Sequence, residues 1–172
     1  MNNKYKSALG VGALLAAAAL PLVAGAASAN PSDQPCDVGD LAVSVTKDPQ
    51  SSAGQEAFVI HYVAAGEHTN CKLQGAPSHV TFTKGSGHGE GDGSGIEVVL
   101  DNPNGGAPPV NVQPGKAAES RILMASQEPV SFQPSVVNLD LPAADGHTVT
   151  VSWPDGQPLR GSSVEVTDVS PA

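Results

Sequence analysis

Apolar and polar residues alternate with a period of two in many short segments of this chain. In the segment 149–153, for example, valine and tryptophan alternate with threonine and serine. A period of two places apolar side chains on one face of a β-strand. The segments that are typical of strands, most of them alternating, lie at residues 41–46, 58–63, 80–83, 96–100, 110–112, 117–124, 137–141, 149–153 and 164–166. The pattern predicts an all-β protein with about eight or nine short strands, spaced as in a two-sheet antiparallel β-sandwich.

Some details of the pattern predict where particular segments lie in the sandwich. The segment 58–63 is apolar on both faces apart from one histidine, which is typical of a central strand. Trp153 and Tyr62 fall in phase with the apolar face of their segments, so we expect both in the core. Prolines flank 110–112, which favours an edge strand or a bulge because proline cannot donate to a ladder.

Composition agrees with strands separated by turns. Residues 30–172 contain 18 valines against 7 leucines, and valine favours strands because its branched Cβ packs well on a pleated surface. Glycine occupies every second position from 85 to 95, and a second segment rich in glycine and proline spans 102–109. We expect both segments to be exposed loops, since glycine and proline interrupt regular structure.

The first 29 residues have the order of a secretory signal peptide. Lys4 and Lys6 precede a 16-residue apolar run at 8–23, and Ala27-Ser28-Ala29 forms a small-x-small cleavage pattern. The alternative is a retained membrane anchor, but crossing the hydrocarbon takes about 20 apolar residues. A lipoprotein would carry a cysteine at the cleavage point, and none stands there. We therefore predict cleavage after Ala29, export, no lipid anchor and no membrane association after signal removal.

Cys36 and Cys71 are the two cysteines of the chain. In an oxidising compartment an even count favours a disulfide. The alternatives are a redox pair, which usually has the form Cys-x-x-Cys, or two metal ligands, and a zinc site needs more sulfur or histidine at fixed spacing. We predict a structural disulfide in a single domain at 36–169, preceded by a flexible lead-in at 30–35.

The chain is acidic, with 17 Asp and Glu against 8 Lys and Arg and a formal net charge of −9. Removal of Lys4 and Lys6 with the signal peptide changes the net charge to −11. Nucleic acids and anionic lipid surfaces require a clustered positive patch. The charge therefore argues against both classes of partner and favours solubility of an exported domain.

The most suggestive candidate site is His88-x-Glu90-x-Asp92, where three metal-ligand types alternate with glycine. The twelve-residue calcium loop needs a different order of carboxylates and a terminal glutamate. We therefore expect a polar loop and no metal or other cofactor. The five histidines, which are dispersed along the chain, are His61, His68, His79, His88 and His147. The sequence also lacks the Gly-x-Ser-x-Gly nucleophile motif.

A further set of motifs spans residues 36–169. A cysteine precedes the first strand within 36–44, and a glycine leads the second within 54–60. The most diagnostic piece is Cys-x-Leu-x-Gly-x-Pro, which stands here as the segment 71–77. A Pro-Gly turn before an alanine follows at 114–117. In these features the chain resembles a family of secreted proteins and lipoproteins of high-GC Gram-positive, actinobacterial-type bacteria that carry domain of unknown function 4232.

The resemblance implies an immunoglobulin-like sandwich outside the membrane, with the two cysteines joined, and it implies no activity. Because no catalytic signature occurs either, we predict a monomeric, non-enzymatic extracellular module. It would bind a protein, a cell-wall component or a small ligand through loops at one end of the sandwich. The alternatives are a secreted hydrolase whose site combines dispersed His and Asp residues, and weak metal binding through the loop that carries His88, Glu90 and Asp92.

Overall fold

The computed structural model describes residues 34–50, 52, 54–84, 93, 95–143 and 147–172. These residues form an all-β structure with one turn of 3₁₀ helix at Val38–Asp40. The strands are β1 (Leu41–Lys47), β2 (Gln55–Ala64), β3 (Cys71–Leu73), β4 (Ser78–Thr83), β5 (Glu97–Leu100), β6 (Val110–Val112), β7 (Ala118–Ala125), β8 (Val130–Phe132), β9 (Val136–Asp140), β10 (Thr148–Ser152), β11 (Leu159–Arg160), β12 (Ser163–Val166) and β13 (Ser170–Pro171). No helix within the described ranges is long and apolar enough to cross a membrane.

Every segment that the sequence predicts to be a strand contains one. The structure adds β3, β8, β11 and β13, which are two or three residues long. The larger sheet has the order β1–β2–β7–β12–β5, and β13 pairs with β7 farther along the same strand. The smaller sheet has the order β10–β9–β4, while β3 pairs with β6 and β8 with β11. The predicted two-sheet sandwich is confirmed.

Among the strands of the described residues, every pair is antiparallel except one. β5 lies parallel to β12, with Val98 opposite Val164 and Leu100 opposite Val166. Because the two strands run in the same direction, the chain crosses over between them through the smaller sheet and β7. The alternation of apolar residues predicts where strands lie but not the direction in which neighbouring strands run. The parallel pair is therefore known only from the structure.

The core lies where aromatic rings from both sheets meet. Phe58 on β2 and Phe82 on β4 contact Trp153, with ring centroids 4.3 and 5.4 Å from the indole. Trp153 is 3% exposed, and its indole N–H donates to the Gln157 carbonyl oxygen at 2.8 Å. This tryptophan follows β10 of the smaller sheet, so it joins the two sheets from the position that the sequence predicts.

Strand β2 is central in the larger sheet, as predicted, since it pairs with both β1 and β7. Tyr62 is fully buried on this strand, and burial raises its pKa above the usual value. The hydroxyl of Ser120, which is also buried, acts on the Tyr62 hydroxyl in the opposite direction and limits this rise in pKa. The core placement of Tyr62 is therefore confirmed.

The predicted disulfide joins Cys36 to Cys71, and both cysteines are buried. Backbone hydrogen bonds support the junction, because Cys36 N–H donates to the Lys72 carbonyl at 3.0 Å and Lys72 N–H donates to the Gln34 carbonyl at 2.8 Å. The segment before β1 is thus attached to β3 by a covalent bond and a short ladder. Leu73, two residues beyond the disulfide, is fully buried.

Gly75 in the same segment adopts φ +83°, a conformation that side-chain-bearing residues resist. Its carbonyl oxygen accepts a hydrogen bond from Val169 N–H at 2.9 Å, so the turn also holds the C-terminal strand. A Cβ added at Gly75 would meet no atom within 4 Å. Any cost of substitution at this position therefore comes from the backbone conformation alone.

We expect Gly75→Ala to lower the free energy of unfolding by about 1–2 kcal/mol, the cost of left-handed backbone for an L-residue. Denaturant unfolding followed by circular dichroism measures the change. Gly39→Ala is the matched control, because a Cβ there also meets nothing within 4 Å and Gly39 has no positive φ. Equal stability of the two variants would contradict the backbone explanation.

Candidate functional site

The strand registers bring several loops together at the end of the sandwich that carries the disulfide. β1 starts beside the last residues of β2, with Leu41 opposite Ala64. β10 starts beside the last residues of β9, with Thr148 opposite Asp140. The segment before β1 thus lies beside the β2–β3 connection, and the contact of Asp37 with His147 brings the residues before β10 to the same end. We refer to it as the disulfide end.

A cleft of about 810 Å³ lies at the disulfide end. Its charged and titratable lining groups are Asp37, Asp40, Glu67, His68 and His147. Its other lining residues are Gln34, Pro35, Cys36, Gly39, Ala65, Gly66, Thr69, Asn70 and Cys71. None of these lining residues is lysine or arginine. The cleft therefore presents carboxylates and neutral polar groups to a ligand, on walls held together by the disulfide.

Asp37 and His147 connect two walls of this cleft. The Asp37 carboxylate accepts from Val38 N–H at 2.6 Å, and Asp37 N–H donates to the Asp40 carboxylate at 2.9 Å, which caps the 3₁₀ turn. His147 Nδ1 lies 2.7 Å from Asp37 Oδ1, although the two residues are 110 positions apart. The hydrogen bond from His147, and then that from Val38, hold the pKa of Asp37 below its usual 3.8.

A second carboxylate–histidine pair occupies the same end. Asp140 Oδ2 lies 2.7 Å from His79 Nδ1, and its other oxygen accepts from the Thr148 hydroxyl. The Thr148 hydroxyl, and then His79, hold the pKa of Asp140 below its usual 3.8, and the charge of His147 acts in the same direction. His79 has φ +48° where the register of β4 against β9 shifts. The irregularity turns its imidazole towards Asp140.

Ser78 completes an arrangement that superficially resembles a catalytic triad. Its hydroxyl lies 3.5 Å from His79 Nδ1, the nitrogen that also contacts Asp140. In a Ser-His-Asp triad the carboxylate binds one ring nitrogen and the serine uses the other. Since both groups here share Nδ1, His79 has no basic nitrogen directed at Ser78. This geometry positions the imidazole and does not activate the serine.

The electrostatic contrast with the opposite end of the sandwich is clear. There Glu56 accepts from Lys47 at 3.0 Å, and the Arg160 guanidinium lies 3.3 Å from its other oxygen. These cations neutralise the nearby carboxylate and link β1, β2 and β11. The disulfide-end cleft has no lysine or arginine in its lining, and histidines are the basic neighbours of Asp37 and Glu67 there.

The candidate metal-binding residues of the sequence analysis, His88, Glu90 and Asp92, lie outside the described residues. The polar loop expected there and the alternative of weak metal binding both stay predictions. Within the described ranges, no group of three or more His, Cys, Asp or Glu residues could hold a metal ion. His61 is half-buried on β2 and bonds to the Thr46 hydroxyl at 2.8 Å.

Sequence reasoning missed the pairs Asp37–His147 and His79–Asp140. Their partners are 110 and 61 residues apart, and no local motif joins them. The available signal was their position. His79, Asp140 and His147 lie at or next to a strand terminus, and Asp37 directly precedes the 3₁₀ turn that leads into β1.

No protein-family model, curated protein or solved structure matches this chain.

The two lowered carboxyl pKa values predict how stability depends on acid. Because the folded-state pKa of Asp37 and of Asp140 lies below the unfolded value, their contribution is complete above about pH 4 and is lost as the pH falls through the lowered values. We expect His147→Gln to raise the pKa of Asp37 towards 3.8 and to reduce this loss. Carboxyl titration by NMR measures the shift.

His68→Gln is the matched control for this titration. His68 lines the same cleft and lies 3.6 Å from Glu67, whereas the histidine that bonds to Asp37 is His147. The control variant should leave the Asp37 titration unchanged. An Asp37 pKa that is the same in wild type and His147→Gln would show that the contact contributes nothing in solution.

Proposed function

We propose that this protein is a secreted, non-enzymatic binding module that holds its ligand in the disulfide-end cleft. The observation that carries the proposal is the cleft itself, which has a volume of about 810 Å³ and is built from three separate loop segments. Binding sites in proteins are concave and combine a few positioned polar groups. A rigid scaffold that displays loops at one end is a common way to build them.

The charge of the cleft indicates the chemistry of the ligand. Asp37, Asp40 and Glu67 face it, and lysine and arginine are absent from its lining. The chain as a whole carries −9. These features favour a ligand with ammonium or guanidinium groups, carried by a protein or by a cell-wall component, because complementary charge speeds encounter and excludes anionic competitors.

Export is part of the same proposal. The disulfide fits an extracellular protein, and the signal-like segment with cleavage after Ala29 supplies the route. Membership of the family with domain of unknown function 4232 is likewise proposed. It is supported by the segment 71–77, in which Cys71 forms the disulfide, Leu73 is buried and Gly75 needs its positive φ. The acidic surface favours a monomer through self-repulsion.

The experiment is an NMR binding screen of the purified protein against small compounds that carry ammonium, guanidinium, neutral or carboxylate groups. We expect cationic compounds to shift the amide signals of 34–40 and 65–70. Glu67→Gln should weaken this binding, whereas Glu128→Gln, which lies outside the cleft lining, should not. Equal binding of anionic compounds would sink the proposal. Consumption of a compound during the screen would favour a hydrolase.

A further inference from the structure

Strand β5 leaves one edge of the larger sheet without a neighbour in the part of the chain that the structure describes. On its other side, Glu97 N–H donates to the Ser162 carbonyl at 2.8 Å and Asp101 N–H to the Val166 carbonyl at 3.0 Å. In a parallel pair the peptide groups alternate in direction. Val98 and Leu100 therefore direct their N–H and C=O groups away from β12, towards the open edge.

The side chains along this edge divide into two faces. Val98 packs half-buried against the core, and Leu100 lies on the same face with 37% of its surface exposed. Val99 lies on the outer face and is 45% exposed. The inner face thus offers partly covered apolar surface at the open side of the sandwich. A strand added to β5 would cover that surface with every second side chain.

The outer face of the same edge is acidic. Glu97 and Asp101 alternate with Val99, and Glu165 on β12 lies opposite Val99. Burial, followed by the charge and hydrogen bond of Asp101, raises the pKa of Glu165. Two carboxyl groups are therefore crowded together. A cation placed beside them would relieve this repulsion.

We propose that the open edge of β5 binds an extended segment of a partner protein in which apolar and basic side chains alternate. The backbone of the segment pairs with the outward groups of Val98 and Leu100, as in other strand-addition complexes. Its apolar side chains lie over Val98 and Leu100, and its basic side chains face Glu97, Asp101 and Glu165. The inner face of this edge is apolar and its outer face is acidic. Apolar and basic side chains must therefore alternate along the partner segment.

A second copy of this chain fits the edge poorly. Pairing of two β5 strands would place the acidic outer faces of both copies side by side, in molecules that each carry −9. Like charges directly opposite on neighbouring strands are destabilising. The charge at the edge therefore selects a basic partner over self-association. This surface is distinct from the disulfide-end cleft, so failure of one proposal leaves the other standing.

The test uses a ten-residue synthetic peptide of alternating valine and lysine, with an alternating valine and glutamate peptide as its control. Amide hydrogen exchange of the purified protein is followed by NMR. At a free peptide concentration about tenfold above the dissociation constant, exchange at Val98 and Leu100 should slow roughly tenfold. Val99 N–H already faces β12, so its exchange should change little. The glutamate peptide should slow neither amide.

Two variants separate edge pairing from other modes of binding. Val98→Pro removes an outward N–H that takes no part in the ladder with β12, and proline is tolerated at such edge positions. Leu100→Lys keeps the N–H but adds a positive charge against the basic peptide. Both should weaken binding at least tenfold, and Glu165→Gln should weaken it less. Val130→Lys, at an exposed valine on β8, is the matched control.

Three results would overturn the proposal. One is protection of amides elsewhere while Val98 and Leu100 exchange as before. Another is unchanged peptide affinity in Leu100→Lys, the variant that does not alter the backbone. The third is concentration-dependent dimerisation through β5 in sedimentation measurements without peptide, which would assign the edge to a second copy of the chain.

Discussion

Replacing both Cys36 and Cys71 with alanine is expected to lower the free energy of unfolding by about 3.8 kcal/mol. The disulfide closes a loop with a sequence separation of 35 residues, and a cross-link stabilises chiefly by restricting the unfolded chain. For a domain of this size the melting temperature should fall by roughly 10–15 °C. Calorimetric unfolding measures both quantities. The consequence should be largest at the disulfide end, where the bond holds the segment 34–40 that forms one wall of the cleft.

The same experiment contains its own control. A reducing agent should lower the melting temperature of the wild-type protein by a similar amount and leave the double variant unchanged. Amide exchange should quicken first at 34–40, because this segment is otherwise held only by hydrogen bonds, among them the two backbone bonds to Lys72, the bonds to the Asp40 carbonyl and the Asp37–His147 contact. A double variant as stable as the wild type would mean that these hydrogen bonds hold the segment without the disulfide.

Trp153→Ala should be comparably severe, with a loss of about 3–5 kcal/mol in the free energy of unfolding. Truncation of a buried aromatic side chain removes transfer free energy and leaves a cavity. Here it also removes contacts to Phe58 and Phe82 and leaves the Gln157 carbonyl without its indole donor. Since Phe58 and Phe82 belong to different sheets, the cavity would lie at the junction between the sheets.

Denaturant unfolding followed by far-ultraviolet circular dichroism measures this loss without depending on tryptophan fluorescence. Trp153→Phe should lose less than half as much free energy of unfolding as Trp153→Ala, because a phenyl ring keeps part of both aromatic contacts. Val130→Ala is the surface control, since Val130 is 56% exposed and exposed positions usually change stability by less than about 0.5 kcal/mol. A Trp153→Ala loss as small as that of Val130→Ala would contradict the central role of the indole.

The architecture was largely predictable because its strands follow a period of two. Segments such as 149–153 and 137–141 alternate clearly, and both are strands paired with each other. Strands of two or three residues, such as β11 and β13, are too short to show any period. They form because the longer strands place them beside a partner, so they are consequences of the tertiary structure.

The candidate site was less predictable for a related reason. Asp37 and His147 are unremarkable in the sequence, one before a first strand and the other in a polar turn. Their contact depends on β1 and β10 starting at the same end of the sandwich. The direction of β5 depends in the same way on β12, which lies 66 positions later in the register. Neither relation is present in any local pattern of residues.

The position of the last strands has a consequence for when the protein can fold. β12 and β13 lie along β7, and β12 separates β7 from β5 within the larger sheet. A chain that has been synthesised only as far as β11 lacks β12, so β5 and one edge of β7 are still unpaired. Such long-range pairing makes folding slow compared with that of helical domains. The sandwich therefore closes only after synthesis is nearly complete, and the strands made earlier must wait for the last part of the chain before their edges are covered.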